Sequence, residues 1–148
     1  MITDSDLTMM IAEMKVTKPF HFEGERDGPL SEIVINQFEE QHGVRFPDAF
    51  RKHLTTEGAG DFAFGTVYSP DPTSGWSLWK EYEFMPHRRT DILPFSDNGC
   101  GDYLCFPIVD GVCEDRVVWA DHEQGYQVTS SEMDDFRDFI VKTCLNPA

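Results

Sequence analysis

Apolar positions near the start of the chain recur every three or four residues, which is the spacing of one face of a helix. They predict a helix over residues 4–15, with Asp4 or Ser5 as its N-cap. Residues 16–29 are rich in charge and glycine, so they predict a connecting loop that two phenylalanines hold against the body. The buried face of the helix comprises Leu7, Met10, Ile11 and Met14.

The same spacing occurs twice within residues 30–60, which predict a helical hairpin. Gly43 is expected to end the first helix in a left-handed conformation, and Pro47 is tolerated in the first turn of the second. Gly58 and Gly60 then end the hairpin. The buried face of the first helix comprises Ile33, Val34 and Phe38, and that of the second comprises Ala49, Phe50, His53 and Leu54.

Residues 61–129 are richer in β-branched and aromatic residues and are divided by turn signals, so they predict a β-sheet. Pro94 cannot donate to a strand ladder, which places its strand at an edge or a bulge. Asp110 and Gly111 are typical of a hairpin turn, so the strands on either side are expected to pair antiparallel. Residues 76–84 fit either a strand or a short helix. The predicted strands are 62–69, 91–96, 102–108, 116–120 and 126–129.

Residues 130–146 predict a closing helix, capped by Ser130 or Ser131 with Asp134 completing a variant of the capping box. Helices at both ends with antiparallel strands between them predict an α+β fold, a single antiparallel or mixed β-sheet with helices packed on one face. The opposite face of the sheet is expected to be partly open. The whole chain, residues 1–148, is expected to form a single domain.

The charge of the chain narrows its possible partners. The formal net charge is −15, and the segment from Asp97 to Asp138 contains eleven acidic residues and two arginines. Such a surface repels nucleic acid and favours basic protein partners, although the charge could also serve only solubility. The basic cluster of Lys80, His87, Arg88 and Arg89 is interpreted as a solvated loop. No stretch reaches the roughly 18 apolar residues of a membrane helix, so neither nucleic acid nor membrane is expected as a partner.

Cysteine usage indicates the compartment. Cys100, Cys105, Cys113 and Cys144 follow an N-terminus that lacks the pattern of a secretory signal. The spacing of the cysteines matches neither a redox pair nor a zinc site. We therefore expect reduced thiols, a cytoplasmic location, and no cofactor.

The strongest candidate for a metal or catalytic site is the run Asp121, His122 and Glu123. A metal-dependent hydrolase that uses these three residues is the enzymatic alternative to a binding protein. In an extended strand, however, Asp121 and Glu123 share one side and His122 points to the other. The three could converge only through a turn, with Asp97 and Asp102 as further oxygen donors. The preferred interpretation is a polar strand end or a loop that contacts a partner, so no catalytic residue and no metal ligand is predicted.

The helical hairpin also carries a recognisable order of residues: a Glu near the end of one helix, then Gly, an apolar-Pro pair, an aromatic residue, Leu and Gly. This order resembles the signature of the SUKH superfamily. Similar blocks follow downstream, in residues 93–95, 101–106, 117–123 and 130–140. The signature residues are Glu39 or Glu40, Gly43, Phe46, Pro47, Phe50, Leu54, and Gly58 or Gly60.

The resemblance implies an immunity protein that binds and neutralises a cognate toxin of a polymorphic or contact-dependent bacterial toxin system. Under this reading the protein is not an enzyme, and its partner is a basic toxin domain. A general protein-binding scaffold or regulator, related to regulators of cell-wall synthesis, is the other alternative. The predicted partner-binding residues lie at strand ends in the acidic half: Asp97, Asp102, Tyr103, Asp121, His122 and Glu123.

Overall fold

The structure, a computed structural model, describes residues 1–84 and 89–146. The helices are α1 (Asp4–Thr17), α2 (Glu32–His42), α3 (Asp48–Thr56), α4 (Leu78–Phe84) and α5 (Phe136–Phe139), with short 3-10 turns at Pro19–Phe22 and His122–Gln124 and a π-helical segment, Ile140–Leu145, continuing α5. The strands are β1 (Gly60–Phe62), β2 (Gly65–Val67), β3 (Ile92–Asp97), β4 (Tyr103–Val109), β5 (Val112–Cys113), β6 (Val118–Asp121) and β7 (Gln127–Ser130). The α+β class is confirmed.

The main sheet is antiparallel throughout, in the order β3-β4-β6-β7. Asp110 and Gly111 take positive φ angles of 51° and 78° and form the predicted tight turn, which joins β4 to β5. The ladder is interrupted after β5, where the N–H of Glu114 donates to the carbonyl of Pro107, and β6 then resumes pairing with β4. The predicted antiparallel pairing is therefore confirmed, with a break that the sequence did not indicate.

The prediction of one strand over residues 62–69 is wrong. Ala63 adopts a positive φ of 51°, and the chain turns there to form a separate two-stranded sheet of β1 and β2. The chain after β2 lies against β3, because the N–H of Tyr68 donates to the carbonyl of Phe95. Residues 76–84, which the sequence left ambiguous, contain α4.

β3 confirms what Pro94 predicts. β3 is an edge strand of the main sheet, and its register with β4 shifts between Pro94 and Ser96. A proline removes one backbone donor, so it is accommodated where the ladder is irregular.

The helical hairpin buries the predicted face of α3, and Gly43 ends α2 with a left-handed φ of 65°. The prediction for α2 is partly wrong, because Ile33 is 69% exposed. The buried stripe instead passes through Ile35 and Phe38, three residues apart, and Ile33 lies about 200° around the helix from Ile35. Pro47 occupies the N-cap of α3 and not its first turn.

The core lies between the helices and one face of the main sheet. Phe50 of α3 is fully buried, and its ring centroid lies 5.3 Å from that of Phe136 and 5.4 Å from that of Phe106. Phe95 stacks on Phe106 at 4.2 Å. This aromatic cluster joins α3 and α5 to β3 and β4, and it fixes the position of the hairpin on the sheet.

The opposite face of the sheet is more covered than predicted. Its inward residues form a second buried cluster, and Tyr103 and Tyr126 pack against that cluster. The expectation of a partly open face is therefore wrong in this region, because tyrosine rings from the strand ends cover it. The buried residues of this face, each at most 2% exposed, are Ile92, Cys105, Val118 and Ala120.

The helix caps differ from the prediction at both ends of the chain. Thr3, and not Asp4 or Ser5, caps α1, and it forms a reciprocal capping box with Asp6. In the loop that joins α1 to the hairpin, Phe22 packs on Phe62, whereas Phe20 is 62% exposed. Only one of the two phenylalanines therefore holds the loop as predicted.

The closing helix begins later than predicted, at Phe136, with Asp135 as its cap. Neither predicted serine caps it, because the hydroxyl of Ser131 donates to the carbonyl of Val117, 2.7 Å away, and so ties this segment to the sheet. The residues that this segment packs into the core, each at most 3% exposed, are Met133, Phe136, Phe139, Ile140 and Cys144.

The four cysteines are free, and only Cys100 is exposed. None of the helices in the described part of the chain is long and apolar enough to cross a membrane.

Candidate functional site

One end of the main sheet gathers the residues that the sequence singled out. Because the strands are antiparallel, β3 and β6 end where β4 and β7 begin, and the loops that join them meet there. We call this region the acidic end. It comprises Asp97, Asp102, Tyr103, Asp121, His122 and Glu123.

The β3–β4 loop is shaped by side chains that bond to the main chain. Asp97 accepts a hydrogen bond from the N–H of Gly99, and Asn98 accepts one from the N–H of Cys100, each at 2.8 Å. Gly101 has a φ of 99°, and a Cβ placed on it would lie 3.1 Å from the ring of His122. A side chain at Gly101 would therefore push the ring away from this loop.

Asp102 and His122 form the centre of the acidic end. One carboxylate oxygen of Asp102 accepts the N–H of His122 at 2.9 Å and lies 2.5 Å from Nδ1 of its ring. The other oxygen accepts a hydrogen bond from Asn98 at 3.0 Å. The bond to Asp102 raises the pKa of His122, and the same bond lowers the pKa of Asp102. The carboxylate is thus held in one orientation and in its charged form.

Asp121 ends β6 and starts the turn that the extended-strand prediction did not contain. Its carboxylate accepts the N–H of Glu123 at 2.9 Å, and the turn closes at Gly125 with a left-handed φ of 65°. The turn brings His122 to the side of Asp102. Glu123 instead remains exposed on the outside of the turn.

Two partly buried tyrosines donate hydrogen bonds to carboxylates at or beside the acidic end. The hydroxyl of Tyr68 donates to Asp97 at 2.5 Å, and that of Tyr103 donates to Glu81 of α4 at 2.7 Å. Both tyrosines have a raised pKa, mainly because burial disfavours the phenolate. Tyr103 is therefore half-buried support and not a free anchor. The sequence missed Tyr68 and Glu81, and no local pattern links them to this end of the sheet.

The structure assembles a different trio from the one considered as a metal site. Asp102, Asp121 and His122 each offer one ligand atom, and these atoms lie within 4.8 Å of one another, whereas Glu123 is not among them. Two carboxylates and an imidazole suit several divalent cations. In this arrangement the imidazole is already bonded to Asp102, so a cation would have to replace that hydrogen bond.

The signature residues of the hairpin hold the fold. Glu39, and not Glu40, faces inward: it accepts the N–H of Phe46 at 2.7 Å and pairs with Arg51. Gly58 has a φ of 93°, and a Cβ there would lie 2.2 Å from the carbonyl oxygen of Asp27. These residues therefore fix how the hairpin joins the strands, and they lie outside the acidic end.

The other named features lie elsewhere. A cavity of about 260 Å³ lies between α1 and α3, and its lining includes His53 but no residue of the acidic end. Of the basic cluster, Arg89 pairs with Asp91 and donates to the carbonyl of Tyr126. His87 and Arg88 lie outside the described residues.

These features define a small α+β protein whose helical hairpin packs on an antiparallel sheet that carries an exposed acidic end. The chain matches the SMI1 / KNR4 family (SUKH-1) over residues 29–142, and it belongs to this family. A comparison with curated proteins finds no match. The family match confirms the resemblance seen in the sequence, and α1 and the first 3-10 turn precede it.

Proposed function

We propose that this chain is an immunity protein that binds and neutralises a toxin of a polymorphic or contact-dependent bacterial system. Membership of the SMI1 / KNR4 (SUKH-1) family supports an immunity or regulatory role. In the proposed mechanism the protein forms a stoichiometric complex in the cytoplasm. It performs no catalysis and needs no cofactor.

The observation that carries the proposal is the fixed orientation of charge at the acidic end. Asp97, Asp102 and Asp121 are each held by main-chain hydrogen bonds while they remain partly accessible. Glu123 adds an exposed charge beside them. A surface that is already ordered loses little entropy on binding, and its field raises the rate at which a basic partner is captured.

The charge of the whole chain acts in the same direction. A net charge of −15 attracts a basic protein from a distance, while the local carboxylates determine where it docks. In the proposed complex the acidic end covers the surface with which the toxin holds its own substrate. Inhibition then follows from occlusion.

The experiment that tests the proposal is co-expression with the product of the reading frame beside the gene of this chain. The immunity function predicts that the neighbouring protein arrests growth alone, that growth recovers when this chain is present, and that the two purify as a 1:1 complex. Unrelieved growth arrest would reject neutralisation. A complex that leaves the neighbouring protein active would favour the scaffold or regulator alternative.

The hydrolase alternative rests on the trio of Asp102, Asp121 and His122. Metal analysis of the purified protein separates the two functions, because a hydrolase of this type needs a bound ion. The immunity proposal predicts that the wild-type chain still neutralises its partner in the presence of a chelator. Loss of neutralisation on chelation, restored by a divalent cation, would favour the metal-dependent alternative.

A further inference from the structure

The two edge strands of the main sheet, β3 and β7, differ in what lies against their outer sides. The outer edge of β3 is covered, since the N–H of Tyr68 donates to the carbonyl of Phe95 and the strand carries Pro94 within a register shift. β7 pairs with β6 on one side, and among the described residues no strand pairs with its other side. All four residues of β7 are exposed.

The direction of the hydrogen bonds shows which groups of β7 face outward. The carbonyl of Asp121 accepts the N–H of Tyr126, so the main chain of Asp121 faces β7. The next N–H, that of His122, points the other way, to Asp102 on the side of β4. Main-chain groups alternate along a strand, so the residues that face β7 are Asp121 and Trp119.

The partners of Asp121 and Trp119 in β7 are Gln127 and Thr129. These two residues therefore make the ladder to β6. Val128 and Ser130 direct their N–H and C=O groups to the open side, which is an unpaired edge.

This edge lacks the features that keep strands from pairing with other chains. β7 contains no charged residue and no proline, and its register with β6 is unbroken. Val128 is 37% exposed and offers an apolar side chain beside the free main-chain groups. The edge is therefore competent to accept another strand.

The charges at both ends of β7 determine which kind of incoming strand it attracts. Asp121 and Glu123 precede it, and Glu132 and Asp134 follow it. Arg89, which donates to the carbonyl of Tyr126 just before β7, is already paired with Asp91. A second copy of this chain would bring another net charge of −15 to the same place, and the two copies would repel each other. A strand that carries lysine or arginine is attracted instead.

We propose that β7 receives an extended, cationic strand from a protein partner, whose main chain pairs with Val128 and Ser130. The basic side chains of that strand then meet the acidic end. The inference rests on the proposed function, because the partner is the toxin, and it specifies how the toxin is held: by adding a strand to the sheet.

The first test measures amide hydrogen exchange of the wild-type chain, alone and bound to the catalytically inactivated product of the neighbouring reading frame. Strand addition predicts that the amides of Val128 and Ser130 exchange at least about tenfold more slowly in the complex, because each gains a main-chain acceptor. Unchanged exchange at both amides in a saturated complex would overturn the inference and leave the proposed function standing.

The second test replaces Val128 with proline, which removes the outward N–H and leaves the bonds to β6 in place. The loss of this one main-chain bond predicts a Kd up to about tenfold higher. The matched control is Val128→Thr, which keeps the N–H and is expected to bind as the wild type does. Equal affinities of the two variants, each folded as judged by circular dichroism, would contradict strand addition.

Two further outcomes are informative. If the wild-type chain does not bind the neighbouring protein at all, the proposed function fails and the strand partner fails with it. If the wild-type chain alone sediments as a dimer, and Val128→Pro restores the monomer, the edge pairs two copies and the cationic-strand inference is wrong.

Discussion

The hairpin and the acidic end each contain a hydrogen-bonded carboxylate, and the two serve different purposes. The side chain of Glu39 is 14% exposed and binds Arg51 and the N–H of Phe46, so it joins two parts of the fold. The side chain of Asp102 is 25% exposed and binds His122 across two strand ends, where solvent reaches it. Substitutions in the hairpin should therefore reduce stability, whereas those at the acidic end should alter binding.

The largest expected effect is on the aromatic core beneath the hairpin. Phe50→Ala leaves a cavity among Phe95, Phe106 and Phe136, and it should lower the free energy of unfolding by about 3–5 kcal/mol. Urea denaturation measures the loss. Ile33→Ala is the control, since this exposed side chain predicts a change within about 0.5 kcal/mol. A similar loss in both variants would mean that the hairpin packs differently.

The next effect distinguishes the two glutamates of the signature. Glu39→Ala removes the acceptor of the Phe46 N–H and the carboxylate of the Arg51 ion pair, and leaves Arg51 its bond to Asn36; it should cost about 2–3 kcal/mol. Glu40→Ala removes an exposed neighbour of the same type and should change little. Thermal unfolding of both variants measures the difference. Equal stability would show that the interior position of Glu39 does not matter.

The pKa values of His53 in the hairpin and His122 at the acidic end are shifted in opposite directions. Burial lowers the pKa of His53 to about 3, whereas the unfolded chain takes up this proton near pH 6.5. The stabilising contribution is thus present above pH 6.5 and is lost as the pH falls. Between pH 7 and pH 5 the wild type should lose about 2 kcal/mol more than His53→Leu. Parallel pH profiles of unfolding free energy would contradict this.

The smallest effect concerns His122, whose pKa is raised by its bond to Asp102. Since the folded pKa exceeds the unfolded one, the stabilisation is present below about pH 6.5 and disappears as the pH rises through the folded pKa. Asp102→Asn should lower the pKa of His122, as measured by NMR titration of its ring. An unaltered titration would show that the pair does not form in solution.

Local rules predicted individual helix faces and turns, but they did not predict the geometry of the acidic end. The stripe of α3, the Asp110–Gly111 turn and the irregular edge at Pro94 depend on residues close in sequence, so the sequence contains their cause. The turn at Ala63 has no such signal, because a non-glycine residue seldom adopts a positive φ.

The geometry of the acidic end depends on pairing between distant segments. Asp102 and His122 are 20 residues apart, and their contact follows from the register of β4 with β6 and from the turn that begins at Asp121. The sequence predicted that these residues lie at strand ends, and the structure places them there. It could not show that His122 would turn toward Asp102, or that Glu81 would support Tyr103 from α4.

The association rate with the inactivated toxin partner tests the central proposal most directly. Asp102→Lys with Glu123→Lys alters charge at the acidic end, and Glu13→Lys with Glu40→Lys makes the same net change at exposed positions elsewhere. Stopped-flow measurements at low salt should show association about tenfold slower or more for the first pair and a smaller change for the second, with the difference shrinking in high salt. Equal rates for the two pairs at every salt concentration would contradict capture by the acidic end.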